Sequence, residues 1–429
     1  MAARPITLGI DLGTTSVKAA LLRAAPNEPS EFVVLASCTR AARAEAAVES
    51  AGAGPQGREQ DVSRILQALH QCLAALPRQQ LRSVVGIGVS GQMHGVVFWK
   101  TGQGCEWVEG GTAPVFEPRA VSHLVTWQDG RCSSEFLASL PQPKSHLSVA
   151  TGFGCATIFW LLKHCPEFLK SYDAAGTVHD YVVAMLCGLP RPLMSDQNAA
   201  SWGYFNTQSQ SWNVEMPKFC FLWTPVLNIS TSVQLAASMP SGFQPGQTPD
   251  PTAPVAYFPY FDRTYLGVAA SLNGGNVLAT FVHMLVQWMA DLGLEVEEST
   301  VYSRMIQAAV QQRDTHLTIT PTVLGERHLP DQLASVTSIS SSDLSLGHVT
   351  RALCRGIVQN LHSMLPIQQL REWGVERVMG SGSALSRNEV LKQEVQRAFP
   401  LPVSFGQDVD AAVGAALVVL RRHLNQKES

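Results

Sequence analysis

The stretch GIDLGTTSVKAALL, residues 9–22, sets a carboxylate at Asp11 just ahead of the turn Gly13-Thr14-Thr15-Ser16, with Lys18 close behind. A turn of that composition can direct backbone N-H groups and hydroxyls at an anion, and a carboxylate beside it suits a metal-phosphate group. The same residues also suit a plain hairpin whose hydroxyls cap their own backbone. Further along, GQMHG places Gln92, Met93 and His94 after an apolar strand, where open α/β sheets keep their ligands. TWQDGR adds a polar cluster whose Asp129-Gly130 also reads as a simple turn. VMGSGSALSRN is a glycine-rich passage from strand to helix, which lets a planar or charged ligand approach the backbone near a positive helix end. It matches neither GxGxxG nor the Walker pattern, and a turn that makes room for packing explains it equally.

The elements that must hold these residues follow from hydrophobic period. Ile6, Leu8 and Ile10 alternate with smaller residues, and Val17, Ala19 and Leu21 resume the alternation after the turn, which predicts a β-hairpin. AARAEAAVESAGAGPQGREQ then reads as an exposed loop. Asp61 is in position to cap a helix carrying Val62, Ile65, Leu66, Leu69, Leu73 and Leu76 up to Pro77. Ser83 to Gly91, apolar on both faces, reads as a buried strand, and this strand-helix-strand order predicts an α/β sheet covered by helices.

LNISTSVQLAA repeats the strand, hydroxyl turn and strand of the opening, which suggests two related halves. A helix is predicted from about Gly347 to Leu365, another is entered with Ser386 and Glu389 in capping-box spacing, and FGQDVDAAVGAAL reads as a tight loop and a final small-residue helix.

The bulk properties narrow the partners. A chain of 429 residues exceeds one ordinary core, and about 150 residues per domain suggests two or three. A net charge of -3, with no basic run interleaved with aromatics, argues against nucleic acid and for a small substrate. Nine scattered cysteines without a CxxC pair fit reduced thiols. The start lacks a charged, then apolar leader, and AAVGAALVVL is far shorter than the ~20 residues of a membrane helix, so a cytoplasmic location without membrane association is expected. Oligomeric state is not legible.

Taken in order, GIDLGTTSVKAALL, GIGVSGQMHGVV, TWQDGRC, LNISTSVQL, NGGN, GSGSALSRN and GQDVDAAVGAAL resemble the FGGY family of carbohydrate kinases across nearly the whole chain. The resemblance implies two actin-like, ribonuclease H-like α/β domains, residues 1–223 and 224–429, with an active-site cleft between them. It implies ATP and Mg2+ as cofactors and a ketose as acceptor, with sedoheptulose phosphorylated at its terminal hydroxyl, and xylulose or ribulose as alternatives. Asp11 would orient the magnesium-phosphate group, Thr14, Thr15 and Ser16 would offer donors, and Lys18 would add positive charge. Gln92, Met93, His94, Trp127 and Asp129 would line the sugar pocket. Thr231 and Ser232 would form a second phosphate turn, and Gly380, Gly382, Ser383 and Asn388 would lie against the adenosine.

One family feature is missing. Related kinases carry a Gly-x-x-Asp-type segment ahead of the second phosphate turn, and its aspartate takes the proton from the sugar hydroxyl. Between Tyr204 and Leu227 this chain has no aspartate, and only Glu215 is acidic. The join at MPKFCFLWTP reads as though a few dozen residues had been removed. A shortened form should be catalytically impaired and should expose apolar surface near Phe219, Phe221, Leu222 and Trp223. Gln396-Arg397 also departs from the Ala-Asp pair of many relatives.

Overall fold

The computed structural model describes residues 4–25, 32–48, 53–110, 113–189, 192–212, 227–240, 242–260, 264–406 and 410–428. The chain divides into two compact units, Met1–Trp223 with Gly246–Pro249 and Asp408–Ser429, and Thr224–Pro245 with Asp250–Gln407. The closing helix Ala411–Glu428 thus belongs with the opening hairpin and not with the second unit, which ends at Gln407.

In the first unit the hairpin forms as the alternation predicts. Ile6–Leu12 pairs antiparallel with Ser16–Ala24, which in turn pairs with Phe32–Ala41, and Val84–Gly91 lies parallel to Ile6–Leu12 on its other side. Ile6, Leu8, Ile10 and Leu12 enter one core with Val17, Ala19 and Leu21, against Ile65, Leu66 and Leu69 of the helix Val62–Ala74. Asp61 caps that helix by accepting the Ser63 N-H.

The opposite face of the sheet carries Thr7, Gly9 and Asp11 and meets the closing helix. Thr7 Oγ1 donates to the Ala416 carbonyl at 2.9 Å, and a Cβ on Gly9 would stand 1.7 Å from the Ala412 oxygen. Only glycine lets helix backbone come so close to the strand. The progression from residue 7 at Ala416 to residue 9 at Ala412 carries Asp11 to the helix N-terminus.

Two sequence expectations are corrected here. Val84–Gly91 is an edge strand among the described residues, and Val85 and Ile87 are each 50 % exposed instead of buried on both faces. Within the stretch read as an exposed loop, Glu59-Gln60 is a short buried strand paired with Glu45-Ala46 and Leu124-Val125. Its burial has no apolar signal, because polar side-chain and backbone partners satisfy it.

The second unit repeats the plan. Leu227–Ile229 and Val233–Ser238 form an antiparallel hairpin, and the sheet runs Val255–Pro259, Tyr265–Ser271, Val233–Ser238, Leu227–Ile229, Val378–Ser381, Val403–Phe405. The helix Leu346–Met364, capped by Ser345, buries Leu353, Ile357 and Leu361 against this sheet and the helix Glu389–Ala398. Capping of the latter differs from the capping-box expectation: Asn388, and not Ser386, accepts the Leu391 N-H, because a short helix Ser383–Arg387 intervenes. Among the described residues no helix is long and apolar enough to cross a membrane. Glu215 and the aromatic cluster at 219–223 lie outside the described residues.

Candidate active site

Asp11 is 9 % exposed, at the end of its strand and opposite Lys18 in the hairpin register. The Lys18 ammonium lies 3.6 Å from its carboxylate and 3.9 Å from that of Asp410, and Ser90 Oγ donates to Asp11 at 3.4 Å. Burial raises the Asp11 pKa, Lys18 opposes the rise, and the charge of Asp410 reinforces it. A buried acid shared with a second acid around one lysine is poorly compensated by protein alone, which is the electrostatic condition for receiving a metal-bound phosphate. Asp410 is missed by the sequence reading of a tight loop. It also accepts the Val413 N-H and so caps the closing helix, whose positive end adds to the field here.

Three other segments hold the hydroxyl turn. Gln60 Nε2 donates to the Thr14 carbonyl at 2.9 Å, Gln92 Nε2 donates to Gln60 Oε1 at 3.0 Å, and Thr14 Oγ1 donates to Gln92 Oε1 at 3.5 Å. The Trp127 indole N-H donates to Thr14 Oγ1 at 2.9 Å. Thr14, Gln92 and Trp127, widely separated in sequence, therefore meet in one network. Gln60, the fourth member, is missed because nothing in GREQ distinguishes it from a solvated loop. Thr15 is exposed, Ser16 is half-buried, and the Thr15 carbonyl accepts the Ala42 N-H at 2.9 Å.

His94 takes a left-handed backbone conformation, φ 69°, unusual for a residue with a side chain. Its ring stacks on Phe153 with centroids 4.4 Å apart, and Nδ1 donates to the Ser201 carbonyl at 2.8 Å. Strain held by a stack and a hydrogen bond fixes the ring in one orientation. Met93 beside it is half-buried. Behind this segment, Asn198 reaches His179 and Asp180, a buried polar cluster that a period-based reading passes over.

Asp129 behaves differently. It is fully buried, with one oxygen taking the Arg58 N-H at 2.7 Å and both taking the Arg131 guanidinium at 2.7 and 2.9 Å. Arg131 continues to Glu59 at 2.8 Å and lies over the Trp160 ring. This geometry ties the WQDGR loop to the Glu59-Gln60 strand and engages both Asp129 oxygens with protein donors.

In the second unit, the turn Ser230-Thr231-Ser232 is gripped by the NGGN segment. Gly275 N-H donates to the Ser230 carbonyl at 2.8 Å and Asn276 N-H to that of Thr231 at 3.1 Å. Asn273, fully buried, is bound to Glu326 and Gly325. Ser230 Oγ stands 3.3 Å from Ser383 Oγ, so the hydroxyl turn and the Gly-Ser turn are neighbours. Gly382 has φ 104°, open to glycine alone among ordinary residues, and Gly380 abuts Phe405 and Leu385. Asn388 is fully buried, its oxygen on Leu391 N-H and its amide 3.6 Å from Cys354 Sγ, so it supports this turn from within the fold.

Residues 6–232 match the FGGY family of carbohydrate kinases, N-terminal domain. The chain is 84 % identical to the sedoheptulokinase of Homo sapiens over 478 aligned positions and 77 % identical to that of Mus musculus over 477, the whole of both chains being covered each time. Since 478 aligned positions exceed the 429 residues here by 49, at least that many positions of the human protein have no counterpart in this chain. Among solved structures, the xylulose kinase from Rhodospirillum rubrum superposes with a TM-score of 0.66 at 17 % identity, covering 96 % of this chain and 89 % of that one. Plasmodium falciparum glycerol kinase with ADP gives 0.66 at 15 %, covering 97 % and 89 %. At these identities the likeness is one of fold.

Proposed function

The chain belongs to the FGGY family of carbohydrate kinases, and from that premise we propose that it is built to transfer the γ-phosphoryl group of ATP to the terminal primary hydroxyl of sedoheptulose. The 84 % identity to a sedoheptulokinase over the full chain carries this reading. The products are sedoheptulose 7-phosphate and ADP. Phosphoryl transfer needs placement and charge neutralisation more than covalent help from the protein. Asp11 supplies the carboxylate that orients a magnesium-phosphate group, directly or through water. Mg2+ neutralises charge on the phosphates when bound. Thr14, Thr15, Ser16 and Lys18 offer donors and positive charge, while Gln60, Gln92 and Trp127 hold the turn in place. Met93 and the fixed ring of His94 line the sugar side with Gln92 and Trp127. Within the second unit, Thr231, Ser232 and Ser383, with the open backbone at Gly380 and Gly382, would receive the nucleotide.

The 429-residue form is impaired in this reading, because no aspartate stands between Tyr204 and Leu227 to accept the proton of the attacking hydroxyl. General-base catalysis contributes about 10² to 10⁴ in rate. Coupled ADP-release assays with sedoheptulose, xylulose and ribulose, on this chain and on a version with the Gly-x-x-Asp segment restored, test both parts. Sedoheptulose should be preferred, and the restored version should be faster by that factor. Preference for another ketose overturns the substrate. Equal turnover overturns the impairment and points to another carboxylate, such as Glu215.

A further inference from the structure

A cavity of about 520 Å³ opens between the end of the strand Phe32–Ala41 and the helix Val62–Ala74, entirely within the first unit. Arg40, Arg43, Arg64, Gln67 and Gln71 supply its polar lining, and among the described residues no carboxylate lines it. It is an open groove, since all five of these polar side chains are exposed. Among the described residues neither Arg40 nor Arg43 pairs with a carboxylate, and the Arg40 guanidinium donates to the carbonyl of its own neighbour, Thr39. Arg64 is 3.6 Å from Asp61 and also donates to the carbonyls of Arg43 and Glu45, which fastens the wall of the cavity.

Arg43 is held in a left-handed conformation, φ 46°, between two buried alanines. Ala42 N-H donates to Thr15 O and Asp61 N-H to Ala44 O, so the backbone is pinned on either side of the strained residue while its side chain is turned outward. A strained arginine kept beside two others, with carboxamides opposite, is a costly way to cover a surface and a suitable way to receive an anion.

From Arg40 and Arg43 lining one groove without carboxylate partners, beside Arg64, we propose that the cavity is a binding site for a small phosphate-bearing anion, either free phosphate or a sugar phosphate, distinct from the hydroxyl turn at Thr14 to Ser16. Guanidinium forks match phosphate oxygens two at a time, and the carboxamides of Gln67 and Gln71 can reach sugar hydroxyls. The Ala42 to Thr15 hydrogen bond sets this site one backbone contact from the turn assigned to ATP, so occupancy stiffens that turn. The site itself does not depend on the kinase reading.

Calorimetric titration of the whole protein with inorganic phosphate and, separately, with ribose 5-phosphate reads the binding directly. Hydrogen exchange locates it. Both probes should bind, with protection at residues 40–43 and 64–71. The double variant Arg40→Gln/Arg43→Gln should lose at least about tenfold in affinity at an unchanged melting temperature, whereas Thr15→Val should bind as the parent does. Tighter binding of ribose 5-phosphate means that the sugar is read as well, and equal binding means that phosphate alone is read. No binding of either probe, protection confined to residues 13–16, or full affinity in the double arginine variant would overturn the site. If the double variant melts early, Arg43→Gly, which relieves the backbone and removes one guanidinium, must still weaken binding or the proposal fails.

Discussion

The two hydroxyl hairpins occupy the same place in their sheets and differ in charge. In each unit the hairpin pairs antiparallel, its second strand pairs with a later antiparallel strand, and its first strand has a parallel neighbour on the other side. The register position one pair before the turn holds Asp11 opposite Lys18 in the first and Asn228 opposite Gln234 in the second. The turns differ also: four residues, 13–16, separate the last pair in the first hairpin and three, 230–232, in the second. One scaffold thus holds a buried carboxylate–lysine pair beside its hydroxyl turn in one unit and a neutral amide pair in the other. The backbone supplies the donors in both, and the side chains at one register position decide whether a buried charge is added.

Several measurements break or sharpen that contrast. The largest effect is expected at the charged hairpin, where Asp11→Asn in the restored-segment version should lower turnover by about 10² or more and weaken its metal dependence. A loss no larger than that from Asn228→Ala would erase the distinction between the hairpins. Next is the strand behind it: Gly9→Ala drives a methyl into the closing helix and should cost about 2–3 kcal/mol, read as a lower melting temperature. At the neutral site, Gly382→Val forces a side chain into φ 104° and should weaken ATP binding by about tenfold with ketose binding little changed. Unchanged ATP affinity in a folded variant would remove the Gly-Ser turn from the nucleotide side. His94→Ala should do the reverse, lowering ketose affinity about tenfold while ATP affinity stays near normal. Equal weakening of both ligands would leave His94 a purely structural residue.

The smallest effect is on pH dependence. Because the folded pKa of Asp11 is raised above its ordinary 3.8, the native state holds that proton longer than the unfolded chain does. This contribution to stability is full below 3.8 and is lost as pH rises through the raised value. Asp11→Asn removes the titration, so the melting temperature of the variant should gain on that of the parent as pH rises through this window. A constant difference would mean that Lys18 compensates the carboxylate fully.

What was legible and what was not divides along physical lines. The hairpins, the helix capped by Asp61 and the long helix with Leu353, Ile357 and Leu361 on one stripe were legible because each rests on a local period and a cap. The edge position of Val84–Gly91 was not, since an apolar run looks alike whether or not a further strand covers it. Gln60 and Asp410 were equally hidden: each serves the site through partners far away in sequence, Thr14 and Gln92 for one, Lys18 for the other.

The sequence by itself determined the residue types and their order: a carboxylate, a hydroxyl turn and a lysine on one hairpin, a neutral echo of it later, and the missing aspartate between Tyr204 and Leu227. Short-range sterics and alternation are written in neighbouring residues, so these needed no fold. Only the tertiary structure decided which polar groups are spent on holding the site. Asp129 and Asn388, indistinguishable in sequence from ligand contacts, have both ends of their side chains engaged by protein partners. Asp11, by contrast, is buried against a second carboxylate and a helix end. Burial and hydrogen-bond saturation arise from long-range packing, and no run of neighbouring residues encodes them.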